Sequence, residues 1–354
     1  MLILRPEEVE GLLTFEETIA AVEKAFAEWE RDTEINLTRR RIHAEKARLN
    51  TMPAALPSRD KIGLRVQCEI LAVAEGAQHY PSRSPLVDVV FDTRSAAPLA
   101  IILSSTSRGA TCDGIGFQTS DFMTASISAV GTKWMSRPDS KNLALVGAGK
   151  QAKTHLAAVK AIRGLKKVKV FSRTLERRMR FADEMSSMLR LDVTAVDSLR
   201  DSIQDADIIL TATNSNVPVF PGAWLEEGVH VSSIVGSDAG MVRAGVIRQK
   251  RRELDDETII RASRIGITSR AQAVQDEQGD IFEQVRAGLI SWDKVFELRE
   301  IVSGKAIGRT SSDEITVFKN NGGQGIAEMA IADLILSKAQ EKKLGIEVKW
   351  GEGY

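Results

Sequence analysis

Gly147, Gly149 and Ala152 stand in a G-x-G-x-x-A spacing, and residues of these types suit the binding of a pyrophosphate. The first glycine permits a tight turn and the second lets backbone approach phosphate oxygens. The small third residue lets a helix pack against its strand. Lys150 and Gln151 fall where the pattern predicts a helix N-terminus, whose N–H groups and positive dipole end favour an anion. About 20 residues further on, an NAD site carries an acid for the ribose 2′-hydroxyl. Here that place reads Ser172, Arg173, Thr174. An arginine flanked by hydroxyls can hold a 2′-phosphate through charge-assisted hydrogen bonds, so NADP is the preferred cofactor and NAD the alternative. The plainer alternative is an arginine on a surface loop. Asp238 follows an apolar run, and an acid at the carboxyl end of a strand can move protons to or from a substrate nitrogen. An Asp in Gly-Ser-Asp-Ala-Gly is equally ordinary turn chemistry.

The apolar pattern supplies the elements that must position these groups. Leu143 to Val146 reads as a buried strand and Lys150 to Ile162 as a helix. Strands and helices then alternate: Val168–Phe171, Glu176–Leu189, Asp192–Val196, Leu199–Gln204, Ile208–Thr211, Val229–Val235 and Ile265–Thr268. Such alternation predicts a doubly wound parallel sheet with ligands at the carboxyl ends of its strands. Gly147, Ser172, Thr211, Ala212, Thr213 and Gly236 fall at those ends and are candidate cofactor-binding residues.

The N-terminal third reads differently. Thr14 and Glu17 form a capping-box pattern ahead of an amphipathic segment that runs to Trp29. Thr38 to Leu49 is basic and broken. Lys61–Ala74 and Leu86–Leu103 read as antiparallel strands, with a turn at Asp92-Thr93-Arg94-Ser95. Ser104 to Asp121 reads as a long polar loop. After Glu314 the pattern changes to a strand-like stretch, Ile315–Lys319, and a helix, Ile326–Lys342. This last piece is expected to return to the N-terminal domain.

With 354 residues, two domains are expected. The formal net charge is zero, which gives no global field for nucleic acid or acidic membranes. The cysteines are Cys68 and Cys112, which offer neither a disulfide framework nor a zinc motif. With no apolar run of membrane-spanning length, a cytoplasmic protein is expected.

The motifs together resemble the ornithine cyclodeaminase/mu-crystallin family. The resemblance rests on Met52-Pro53-Ala54, on Phe91-Asp92-Thr93 with Pro98-Leu99-Ala100, and on Arg137-Pro138-Asp139 leading into Val146–Ala152. It continues in Gly236-Ser237-Asp238, Glu253-Leu254-Asp255 and Thr316-Val317-Phe318-Lys319. It implies an α/β fold in which a Rossmann-type doubly wound parallel sheet is inserted in an α+β substrate and dimerisation domain. The expected division is 1–123 plus 312–354 for the substrate domain and 124–311 for the NAD(P)-binding domain, in a homodimer.

The resemblance also implies site residues. Arg41 matches the arginine that grips the substrate carboxylate, with Arg39 and Arg40 leaving the register open. A family lysine near that carboxylate is replaced by Arg65, which keeps the charge and adds a fork but cannot readily lose a proton. A second carboxylate-binding arginine is replaced by Met123, and Arg108 in the preceding loop is the candidate to take its part. Asp238 matches the catalytic aspartate, and Arg65 is the second catalytic candidate, holding the substrate's anionic group together with Arg41. The implied activity is an NAD(P)H-dependent oxidoreductase acting on a C–N bond. It would reduce an imine or ketimine, reductively aminate a 2-oxo acid, or oxidise an amino acid in reverse. Two alternatives stand beside it: an ornithine or lysine cyclodeaminase using NAD⁺ catalytically, and a non-catalytic NADPH or ligand binder like mu-crystallin.

Overall fold

The computed structural model of the chain describes residues 1–44, 47–74, 77–104, 119–236, 239–243 and 248–349. The chain forms two compact units: Met1–Ser126 with Gly323 onward, and Ile127–Gly322. The first crossing falls inside one helix, Thr119–Met135. In chain order the strands are β1 (Leu2–Leu4), β2 (Arg40–Ala44), β3 (Ala47–Leu56), β4 (Lys61–Ala74), β5 (Ala77–Arg83), β6 (Leu86–Asp92) and β7 (Pro98–Ser104). There follow β8 (Asn142–Val146), β9 (Lys167–Phe171), β10 (Asp192–Ala195), β11 (Ile208–Thr211) and β12 (His230–Ser233). The last are β13 (Arg264–Ile267), β14 (Val295–Glu297), β15 (Thr316–Lys319) and β16 (Ile346–Glu347).

In the first unit the sheet order is β16-β1-β7-β6-β4-β3-β2, with β5 on β4, and every pairing but β1–β7 is antiparallel. Along β3 burial alternates residue by residue, the period-2 signature of a strand with one covered face. Helix Gly325–Glu341 packs on β3 and β4 and beside helix Phe15–Arg31. The latter starts at the expected capping box, Thr14 Oγ1 accepting from Glu17 N–H. Asp92 Oδ1 accepts from the backbones of Arg94 and Ser95, which makes the turn between β6 and β7. The basic stretch after Thr38 is more regular than its composition suggests. Arg40 to Ala44 forms β2, because β3 offers it a continuous ladder from Thr51 to Ala47.

The second unit is a parallel sheet in the order β10-β9-β8-β11-β12-β15-β13-β14. Its first five strands carry the Rossmann order, reversing direction of progress beside β8. Here the expected division of the chain is corrected. Residues 312–322 belong with this unit, since β15 lies between β12 and β13. All four residues of β15 are buried, so it is an interior strand of a sheet covered on both faces.

Candidate active site

A cleft of ≈ 600 Å³ opens in the second unit at the carboxyl ends of β8, β9 and β11. One wall is the glycine turn, Gly147 to Gln151; another is Phe171 to Thr174 with Arg177; the third runs from Ala212 to Val219. Gly147 has φ +120, and a Cβ there would lie 2.3 Å from the Ala212 carbonyl oxygen. Gly149 is extended and caps helix Lys150–Ile162 without a side chain, and a Cβ there would meet nothing within 4 Å. Bare backbone at a helix N-terminus, facing open space in a cleft of this size, fits a dinucleotide pyrophosphate.

Most of the expected cofactor residues therefore come together. Gly147, Gly149, Lys150, Gln151, Ser172, Arg173, Thr174, Ala212 and Thr213 all line the cleft. Three do not. Ala152 is fully buried under the helix, the packing position its size suggested. Thr211 is fully buried and gives its hydroxyl to Glu253, so it is not a cofactor ligand in this geometry. Gly236 is exposed and lies outside the lining. Asp238 and Arg108 lie outside the described residues.

The end of the cleft beside β9 is basic. Arg178 is turned away from it: Nη1 donates to the Ser172 carbonyl at 3.1 Å, and Nη2 to Asp197 at 2.8 Å. Arg173 and Arg177 are exposed, and both line the cleft. Among the described lining residues there is no acid. Arg177 was missed in the sequence, because helical phase decides which of three nearby arginines, 173, 177 and 178, reaches the opening.

Behind the third wall lies a buried carboxylate that the sequence flagged only as a motif. Glu253 Oε2 accepts from Thr211 Oγ1 at 2.9 Å, Ser233 Oγ at 3.0 Å, and the Ile234 and Val235 amides at 3.3 and 3.1 Å. Its Oε1 accepts from the Thr213 amide at 2.6 Å and hydroxyl at 2.7 Å. The remainder of the motif is structural: Leu254 is fully buried, and Asp255 caps helix Asp256–Arg261 by accepting from Thr258 N–H at 2.8 Å. Lys319, on β15, is fully buried; its ammonium donates to Ser233 Oγ at 2.9 Å and pairs with Asp280 at 2.6 Å. Asp280 in turn accepts from the Glu253 and Leu254 amides. No spacing rule connects these residues, whose contacts span 18 to 86 positions.

The first unit holds a second polar cluster. Arg65 and Asp88 are cross-strand neighbours on β4 and β6, both pointing to the covered face. Arg65 Nε and Nη2 donate to the two Asp88 oxygens at 2.7 and 2.8 Å. Its Nη1 pairs with Glu328, on helix Gly325–Glu341. All three side chains are at most 1% exposed. Burial pushes the Glu328 carboxyl up to about 7, with Arg65 opposing the rise and Asp88 adding to it. The expectation that Arg65 itself grips substrate is corrected here: its guanidinium has no exposed surface, and its fork is already occupied by protein carboxylates. The signal was available in Leu86–Val90, where alternation puts Asp88 on the inward face opposite a basic residue.

Arg41, half-buried, is paired in register with buried Asn50, so it points to the same covered face. Arg39 acts electrostatically on Glu328. Met123 is buried, and it and Met52 crowd the backbone of Gly323, within about 3 Å of where a Cβ would sit, with Glu328 just beyond. The buried histidines of the second unit, His155 on helix Lys150–Ile162 and His230 on β12, are structural. His155 Nδ1 donates to the Gln151 carbonyl at 2.7 Å, so Nε2 accepts from Ser128 Oγ at 3.1 Å. Burial brings its pKa down to about 4. Among the described residues no His, Cys, Asp and Glu cluster could hold a metal ion, and no helix is long and apolar enough to cross a membrane.

Against known proteins, the profile of the ornithine cyclodeaminase/mu-crystallin family matches residues 1–343. The chain belongs to this family. It is 28% identical over 353 residues to a Delta(1)-pyrroline-2-carboxylate reductase of Bacillus cereus, covering 99% of this chain and 100% of that one. It is 32% identical over 216 residues to the ketimine reductase mu-crystallin of Mus musculus, covering 61% of this chain and 59% of that one. Its fold is similar to that of Thermococcus litoralis Delta(1)-pyrroline-2-carboxylate reductase, solved with NADH and L-proline. There the TM-score is 0.80 at 29% identity, covering 98% of this chain and 100% of the other.

Proposed function

We propose that the protein is an NAD(P)H-dependent reductase of a small carbon–nitrogen double bond bearing a carboxylate, with a cyclic ketimine acid such as Δ1-pyrroline-2-carboxylate as the first candidate. The observation that carries this reading is the cleft, with bare Gly149 backbone at a helix N-terminus and Arg173 and Arg177 at its far end. Family membership and the two full-length reductase relatives support this reaction class.

A nicotinamide dinucleotide, when bound, supplies the hydride to the imine carbon. The chain's own residues do the rest. The glycine turn and the first turn of helix Lys150–Ile162 hold the pyrophosphate. Ser172, Arg173, Thr174 and Arg177 hold a 2′-phosphate, which favours NADP over NAD. Arg41 pairs with the substrate carboxylate, Arg65 positions the cluster around it through Asp88 and Glu328, and Met123 gives that pocket an apolar wall. Asp238 delivers the proton to the substrate nitrogen.

The protein acts as a homodimer through the outer face of the first unit's sheet. Leu49, Leu64, Val66, Val87, Val89 and Ile101 are only half-covered there, and Ile42 and Ile62 are 64% and 47% exposed. Monomeric proteins seldom leave so continuous an apolar face in water.

The test is nicotinamide absorbance with Δ1-pyrroline-2-carboxylate, NADPH and NADH in parallel. NADPH consumption is expected, and Arg173→Ala should lose ~10-fold or more in kcat/KM with NADPH and little with NADH, the loss of one charge-assisted contact. Equal losses with both cofactors would remove the 2′-phosphate assignment. No turnover of either cofactor with any cyclic ketimine acid would remove the reductase reading.

A further inference from the structure

Ala212 to Val219 forms a complete wall of the cleft, yet it is a loop between β11 and the rest of the sheet, without a ladder of its own. The Ala212 amide donates to Val146 and Gln249 Nε2 to the Asn216 carbonyl, but Glu253 is the residue that holds the loop at both ends. At the near end the Glu253 carboxylate takes both the amide and the hydroxyl of Thr213. At the far end the Glu253 carbonyl accepts from the Val219 amide at 2.9 Å. Thr213 Oγ1 passes the constraint on by accepting from the Ser215 amide at 3.1 Å. The glycine turn is packed against the same wall, since a Cβ on Gly147 would meet the Ala212 carbonyl and the Thr213 methyl. Glu253 is itself fixed, its amide held by Asp280, which is paired with buried Lys319.

We propose that Glu253 is a positioning residue for the cofactor: it sets the spacing between the Ala212–Val219 wall and the glycine turn, and thereby the affinity for the dinucleotide. The inference rests on the dinucleotide reading of the cleft. Its chemistry is specific to a carboxylate. Both oxygens face backbone N–H groups, Thr213 on one side and Ile234 and Val235 on the other. An amide in this place must therefore point its NH₂ at a donor whichever way it flips. A buried network that is only partly satisfied shifts or loosens.

The experiment measures the NADPH dissociation constant by fluorescence, together with thermal stability, for the full-length protein and four variants. Glu253→Gln and Thr213→Val should each weaken binding by ~10-fold, and the double variant should bind no more weakly than the worse single, because both act through one contact. Ser233→Ala removes a different hydroxyl from the same carboxylate and an acceptor from Lys319, away from the cleft. It should lower the melting temperature at least as much as Thr213→Val while leaving NADPH affinity within about twofold. Additive losses in the double variant would overturn the proposal, as would Glu253→Gln binding NADPH like the parent. Should Glu253→Gln fail to fold, equal effects of Thr213→Val and Ser233→Ala on affinity would overturn it. The parent protein separates the two levels: failure of the parent to bind NADPH or NADH rejects the dinucleotide reading itself, and this inference with it.

Discussion

Both units bury carboxylates, and Glu253 in one and the Asp88–Glu328 pair in the other are satisfied in opposite ways. In the parallel-sheet unit Glu253 is met by six donors, four of them hydroxyls or amides at the ends of β11 and β12 and two from Thr213. In the antiparallel unit Asp88 and Glu328 share one guanidinium, which gives Asp88 two bonds and Glu328 the remaining arm. Strand ends in a parallel sheet present amide N–H groups that no ladder uses, so they can satisfy an acid without a counter-charge. The middle of an antiparallel sheet has its amides already paired, so a buried acid there depends on another side chain. The lesson is that the first arrangement gives rigidity beside the cofactor cleft, whereas the second gives a site poised to take up a proton near neutrality.

The harshest way to break this contrast is to remove the shared cation. Arg65→Ala leaves Asp88 and Glu328 buried without their partner, and the expected cost is about 3–5 kcal/mol in urea unfolding. A cost near zero would show that the cluster is solvated in solution. The contrast sharpens with pH. Glu328 holds its proton more tightly in the fold than its usual 4.5, so its contribution is fully present below 4.5 and is lost as pH rises through about 7. His155 runs the other way. Its value falls from 6.5 to about 4, so its contribution is full above 6.5 and lost as pH falls towards 4. Each amounts to on the order of 3 kcal/mol across its window. Unfolding free energies from pH 4 to 8 should show Glu328→Gln gaining on the parent towards the alkaline end and His155→Leu gaining towards the acid end. Parallel curves for parent and variant would refute the corresponding assignment. The smallest effect on stability belongs to Gly149 in the cleft. Gly149→Ala should change unfolding by only about 0.5 kcal/mol while reducing NADPH affinity, since its methyl enters the space open to the pyrophosphate. Gly147→Ala should instead unfold more readily, by a kcal/mol or more, because its backbone conformation and the Ala212 carbonyl both resist a side chain.

Much of the cofactor half was legible in the sequence. The glycine spacing, the arginine after β9 and the strand–helix alternation are local patterns, and nine of the twelve expected residues line one cleft. The antiparallel unit was less so. Arg65 looked like a ligand because its place and charge were visible, whereas its partners Asp88 and Glu328 lie 23 and 263 positions away. β15 was assigned to the other unit because the segment between it and the earlier parallel strands is built of short pieces, and nothing in four residues reveals which sheet they join.

The sequence by itself determined the period of each element, the turn at Gly147 and the charge offered at Arg173, because these depend on residues within one or two turns of one another. Only the tertiary structure decided which acids share a cation, that Thr211 serves Glu253 and not the cleft, and that Lys319 locks the loop end of Ser233 to Asp280. Those outcomes follow from strand register and order. A shift of one residue, or an exchange of two neighbours in the sheet, would leave every local pattern intact and bring different side chains together.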